Sequence, residues 1–282
     1  MILQSGLPFI AIALFLMALL SRRKESESVF YSSWFEKVAG ALGWVSFACY
    51  CYFETFRCLL LEDYVRTSFA LIFLAFSLLL AFLLMTTREK GDADLVLTIT
   101  KVAVITAVFY FPFSELALLG DTLIFVTAKL SVMMLNLLDV GVYIVPPSGI
   151  YSTSSSFHEV YKPIEIILAC TAIQSMALFT GVVFGVTAPI GRKLKAFLVS
   201  VPVIYGLNIL RNALVGAAYF EQWFGSPLHS FFIAHDVLAR IGSMLVLIVI
   251  AYAVFVILPE ALDLIEDLFR FFSRIFSTRI RG

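Results

Sequence analysis

Three side chains able to act on an acyl group stand inside long apolar stretches of this sequence. Cys170 falls in "IEIILACTAIQSMALF", Arg211 in "YGLNILRNALVG" and Arg240 in "FFIAHDVLARIGSML". An ionisable group inside a membrane span is costly unless paired or solvated, so each arginine is a functional candidate by default. A cation beside a thiol favours thiolate, its reactive form. A guanidinium can also hold a developing oxyanion. The chemistry these residue types imply is acyl transfer through a thioester.

Depth brings the three together. Counted at 1.5 Å per helical residue from the outer ends of their segments, Arg211 lies roughly 15 Å deep, Arg240 roughly 14 Å and Cys170 roughly 10 Å. His235 is shallower, at roughly 6 Å. Polar neighbours accompany them. Gln174 follows Cys170 by four residues, which on a helix puts thiol and amide on one face. Asn208 and Asn212 are i,i+4 neighbours close to Arg211, and Asp236 and Arg240 have the same spacing and can pair. Tyr205 and Gln174 are further candidates to line a site. A plainer reading stays open beside this one: cysteine is often buried and inert, and membrane arginines can hold a helix or a lipid head group.

These residues need a scaffold of helices. The chain has 282 residues, 61% hydrophobic and only 14% charged, with a mean hydropathy of +0.98. Apolar segments are marked at roughly 2–20, 38–61, 65–85, 95–113, 121–145, 163–187, 196–220 and 231–258. The expected fold is all-α: a polytopic transmembrane bundle of about eight spans. Residues 1–258 form the membrane domain, with a catalytic core at about 95–258. Residues 259–282 form a cytoplasmic amphipathic tail, in which Arg270, Arg274, Arg279 and Arg281 alternate with apolar residues, as in a helix lying on an anionic leaflet. The first apolar stretch lacks a basic n-region and a cleavage site and reads as a retained span.

The basic loop "GRKLK" (Gly191 to Lys195) is expected to be cytoplasmic. Segments six, seven and eight then alternate so that "PPSGIYSTSSSFHEVYK" and "EQWFGSPLHS" face outward. The first half is less decided. Eight spans put Arg22, Arg23 and Lys24 outside, against the positive-inside tendency. Placing them inside would require one segment not to cross, the foremost candidate being 121–145 with Lys129, Asn136 and Asp139. A net charge of zero gives no sign of nucleic acid. Cys49, Cys51 and Cys58 read as packing residues, and the arrangement of cysteines and histidines suggests neither a metal site nor a cofactor. His158 and His229 read as loop residues.

The motifs "ACTAIQSMALF", "NILRNALVG" and "HDVLARIGSML", in this order on three successive late segments, resemble the exosortase/archaeosortase family. The family pattern is a Cys, an Arg and a third basic residue, His in many members and Arg in the archaeosortase branch. The resemblance assigns the first two to Cys170 and Arg211. Arg240 is taken as the third because "ARIG" carries its basic residue just ahead of a glycine, with His235 the runner-up. On an α-helix these two lie about 140° apart, five steps of about 100°. The resemblance implies a membrane-embedded cysteine transpeptidase whose active site faces outward. Its substrates would be exported surface proteins, S-layer glycoproteins among them, with a C-terminal signal made of a Pro-Gly-Phe motif, a membrane span and a basic cluster. It also implies a membrane phospholipid as acyl acceptor. The competing class is a transporter or flippase whose arginines bind anionic lipid head groups.

Overall fold

The computed structural model describes residues 2–21, 29–86, 90–154, 157 and 161–280. Arg22, Arg23 and Lys24, whose charge bears on the orientation of the first half, lie outside the described residues, as do His158 and Arg281. The chain runs through α1 (Ile2–Ser21), α2 (Val29–Leu60), α3 (Tyr64–Thr86), α4 (Lys90–Glu115) and α5 (Ala117–Leu137). After a small sheet come α6 (Ile173–Gly185), α7 (Ile190–Phe220), α8 (Pro227–Ile257) and α9 (Pro259–Ile280).

Helices dominate because lipid offers backbone groups no partner and a helix satisfies its own. Among the described residues five stretches are long and apolar enough to cross a bilayer: Arg66–Thr86, Asp94–Glu115, Ala117–Leu137, Ile190–Phe220 and Pro227–Ile257. α1, of 20 residues, is apolar, and α6 is apolar but shorter. The fold is therefore an all-α, multi-pass membrane protein. By this measure fewer than the expected eight segments qualify, because Gly, Trp and Tyr dilute α2 and the first residues of segment six are not helical.

The chain divides into two compact units. The first comprises Met1–Phe111, Phe184–Thr187 and Leu262–Gly282. Its core centres on Trp44, whose ring meets the edge of Phe15 at 4.9 Å between centroids. A Cβ at Gly43 would stand 2.5 Å from the Phe15 ring, so only glycine lets α1 and α2 approach this closely. The Trp44 indole N–H donates to Thr100 Oγ1 at 3.0 Å, which satisfies a polar atom inside the core. Phe271 of α9 belongs to the same cluster and is 3% exposed, while Arg274 pairs with Asp92 at 2.7 Å. The amphipathic tail thus has at least one of its apolar residues covered by protein.

The second unit comprises Pro112–Val183 and Ala188–Ala261. Here two expected spans are cut short. Segment 121–145 leaves the helix after Leu137: Asp139 takes a left-handed φ of 59°, and Val140 N–H reaches back to the Leu135 carbonyl at 3.0 Å. The Asn136 side chain both donates to and accepts from the backbone of Val142, each at 3.1 Å. A three-stranded antiparallel sheet follows: β1 (Val142–Val145), β2 (Gly149–Ser152) and β3 (Ile164–Glu165). Tyr143 pairs with Tyr151 across β1 and β2, and Ile150 with Ile164 across β2 and β3. β-Branched and aromatic residues suit these strands, and "PPSG" suits the turn. Segment 163–187 therefore begins as a strand and becomes an α-helix only at Ile173.

Candidate active site

β3 delivers the chain to the thiol. Ile166 is buried, and its N–H donates to the Ser148 carbonyl at 3.0 Å. Residues Leu168–Thr171 then form one tight 3₁₀ turn. Cys170 N–H closes it on the Ile167 carbonyl at 2.8 Å, and Thr171 Oγ1 donates to the Leu168 carbonyl at 2.7 Å. Ala172 sits in the left-handed region at φ 57° and ψ 13°, a conformation that costs an L-residue roughly 1–2 kcal/mol. That residue separates the turn from α6. Cys170 and Gln174 consequently do not share one helical face, and the depth of Cys170 counted along a helix does not hold. The helix expected there is replaced by a strand and a turn whose backbone is satisfied by neighbours.

Those neighbours come from α7. Asn208 Nδ2 and Asn212 Nδ2 both donate to the Cys170 carbonyl oxygen, at 2.7 and 2.9 Å. One helical turn separates the two amides, so both reach the same atom. Arg211 stands between them in sequence, and its Nε is buried with no hydrogen-bond partner among the described residues. Tyr205 is directed elsewhere: its hydroxyl lies 3.2 Å from Thr127 Oγ1 and ties α7 to α5.

α8 supplies the other cation. Its stretch Phe232–Leu238 is a π-helical insertion. A π turn, with i→i+5 hydrogen bonds, holds more residues than an α turn, and such insertions are frequent at functional sites. Side chains rotate less per residue there, so the separation of His235 and Arg240 reckoned for an α-helix is too large. One carboxylate oxygen meets both: Asp236 Oδ1 accepts from Arg240 Nη2 at 2.7 Å and lies 3.3 Å from His235 Nδ1. The His235 ring stacks on Phe231 at 4.9 Å.

A cavity of about 720 Å³ opens between these elements. Gln174, Asn208, Arg211 and Arg240 line it, as do Ala169 and Ala172 on either side of the Cys170–Thr171 step. Most of the remaining wall is apolar. Cys170 is half-buried and packs against the cluster of Ala128, Leu135, Ile150 and Ala213 instead of forming part of the wall. Asn212, His235 and Asp236 are not among the residues that line it; of the three, Asp236 bonds directly to a lining residue, Arg240. No group of three or more metal-ligating side chains comes together among the described residues.

A family model described as Transmembrane exosortase (Exosortase_EpsH) matches residues 4–256. The chain belongs to the transmembrane exosortase family. The match takes in every candidate site residue and bears out the resemblance carried by the three motifs. Archaeosortase A of Haloferax volcanii is 37% identical over 118 residues, which cover 37% of this chain and 39% of that protein. Archaeosortase A of Natronomonas pharaonis is 31% identical over 197 residues, 62% of either chain. The chain thus spans less than two thirds of the length of these relatives. No solved structure matches it.

Within this exosortase-family scaffold, sequence reasoning passed over two features of the cavity. Trp223 and Phe224 line it from the loop before α8, and the chain turns there through Gly225 at φ 103°. Paired aromatics beside a glycine in a short loop were a visible signal. The π insertion had none, since "FIAHDVL" reads as ordinary helix.

Proposed function

We propose that this chain is a membrane-embedded cysteine transpeptidase that processes the C-terminal sorting signal of exported surface proteins from the outer face of the cell membrane. The observation that carries the reading is the meeting of Arg211 and Arg240 in one apolar cavity beside the Cys170 turn. The names of the family and of its archaeosortase relatives agree with a sorting enzyme.

The reaction divides into two steps. In the first, the thiolate of Cys170, whose neighbours Ala169 and Ala172 line the cavity, attacks the substrate carbonyl carbon. Arg211 holds the oxyanion. The C–N bond breaks, the amine leaves with a proton, and a thioester remains. A lipid head-group nucleophile, or water, then attacks the thioester carbonyl carbon: its new bond to carbon forms, its proton passes to solvent, the C–S bond breaks and Cys170 is released as thiolate. Arg240, fixed by Asp236, supplies the second positive charge. His235, on the same carboxylate, is the runner-up for this third basic role. The substrates are proteins with a Pro-Gly-Phe motif, a membrane span and a basic cluster at their C-terminus, S-layer glycoproteins among them, and the acceptor is a membrane phospholipid.

Two arginines in an apolar cavity would also suit a transporter or flippase for anionic lipids. Such a protein needs no thiol. Cys170→Ser, expressed in the membrane with a reporter bearing the tripartite signal, decides between them. Loss of the size shift, by about 10³-fold or more in rate, is expected of a nucleophile, as for other residues that act as a catalytic unit. Normal processing by Cys170→Ser would end the transpeptidase reading.

A further inference from the structure

Two side-chain amides on one backbone carbonyl need more explanation than solvation. A carbonyl oxygen has two lone pairs. Asn208 at 2.7 Å and Asn212 at 2.9 Å can take both for the carbonyl of Cys170. One donor would satisfy the group and leave it free to swing. Two donors from successive turns of a rigid helix fix its direction. Apolar packing buries Thr171 and seats Cys170 against Ala128 and Leu135, but it does not fix the direction of the carbonyl, and the left-handed Ala172 parts the four-residue turn from α6.

The mount itself is firm. Ala213 and Ala217 on α7 are buried, and a Cβ at Gly216 would meet Leu135 of α5 at 3.0 Å. Arg211 is on this same turn of α7, three residues after Asn208 and one before Asn212. The amides that grip the thiol-bearing turn therefore flank the guanidinium that faces the cavity.

We infer that Asn208 and Asn212 are positioning residues which set the register between Cys170 and Arg211, an inference that rests on Cys170 being the nucleophile as proposed above. Together they make one helix the common reference for thiol and guanidinium. A misplacement of about 1 Å at a reacting centre can cost about 100-fold in rate.

The test uses the full chain in membranes, with Cys49, Cys51 and Cys58 replaced by Ser so that N-ethylmaleimide reports Cys170 alone. Asn208→Leu and Asn212→Leu keep the size of the side chain and remove the donor. Each is expected to lower kcat on the tripartite reporter by about 10- to 100-fold with KM within about threefold, and the double variant by no more than about tenfold further. The rate of Cys170 alkylation, followed across pH, should change in the same variants, which a purely structural bond elsewhere in the fold would not produce. Wild-type kcat, a change confined to KM, or an unaltered alkylation profile in inserted protein overturns the inference. Failure of both single variants to insert assigns the amides to folding alone and overturns it as well. The parent reading fails separately: Cys170→Ala that still processes the reporter removes the nucleophile, whatever the asparagine variants do.

Discussion

Asp236→Asn isolates what one carboxylate does for the two basic groups it touches. The substitution preserves shape and removes the charge. Asp236 Oδ1 accepts from Arg240 Nη2 at 2.7 Å and lies 3.3 Å from His235 Nδ1. The Asn amide still accepts from the charged guanidinium, so part of the about 1.5–3 kcal/mol that a hydrogen bond to a charged group contributes is lost. A loss of about half, near 1–1.5 kcal/mol, converts at 1.36 kcal/mol per tenfold to about tenfold in turnover. Folding should notice much less. The Arg240 side chain is 69% exposed and that of Asp236 29%, and pairs of this kind contribute about 0–1 kcal/mol to stability. The expected signature is therefore a tenfold slower size shift of the reporter at nearly unchanged thermal stability in detergent. A double-mutant cycle with Arg240→Lys sharpens it: if the two act as a unit, the double variant is no slower than the slower single. Wild-type turnover in Asp236→Asn, or a decrease that tracks the amount of folded protein, would refute the reasoning.

Other outcomes follow from the same geometry. His235→Gln should retain activity within about fivefold while Arg240→Lys, which keeps the charge and loses the planar fork, should be clearly impaired; a dead His235→Gln beside a normal Arg240→Lys gives the third role to the histidine. Phe271→Ala should lower unfolding stability by about 3–5 kcal/mol, the usual cost of emptying a buried aromatic site, and leave turnover per folded molecule unchanged; equal thermal stability of the two proteins would show that α9 is not part of the core. Glu260 is held below the usual carboxylate range, first by its own backbone N–H at the start of α9 and then by Arg192, which it meets at 2.6 and 3.0 Å. A lowered carboxylate stabilises the fold above its ordinary value and loses that effect as pH falls through the lowered one, so the Tm gap between wild type and Glu260→Gln should close below about pH 4; a gap that widened in acid would reverse the sign.

Much of the fold could be read from hydropathy, because long apolar runs admit few alternatives in lipid. α3 begins and ends within one residue of the expected 65–85, and α7 ends at the expected residue 220. The thiol's setting could not be read in the same way. "IEIILACTA" is apolar apart from Glu165 and Thr171, and over nine residues such a run fits a buried strand, a turn or the start of a helix equally well. What decides among them is distant in sequence: the hairpin edge at Gly149 and Ile150, and the amides of Asn208 and Asn212. The two arginines were legible because a charge in an apolar segment stands out whatever the local backbone does. The pairing of Asp236 with Arg240 was legible from its spacing, whereas the π turn and the approach of His235 to the same carboxylate were announced by no residue type.

The two-residue strand β3 has a consequence for how such a protein can change over time. It pairs Ile164 with Ile150 and Glu165 with Gly149, and the next residue, Ile166, is bonded to Ser148. The hairpin thereby acts as a gauge of length for the segment that carries Cys170. Substitutions at the exposed tip leave the gauge intact, so the surface chemistry of the hairpin is free to diversify. An insertion of one residue between Ile164 and Cys170 is a different matter. It would displace the thiol by a residue's length relative to the hairpin and alter which side chains between β3 and Cys170 face the core. Chimaeras that graft a foreign hairpin here should therefore be chosen by the spacing from hairpin to cysteine before any likeness of sequence.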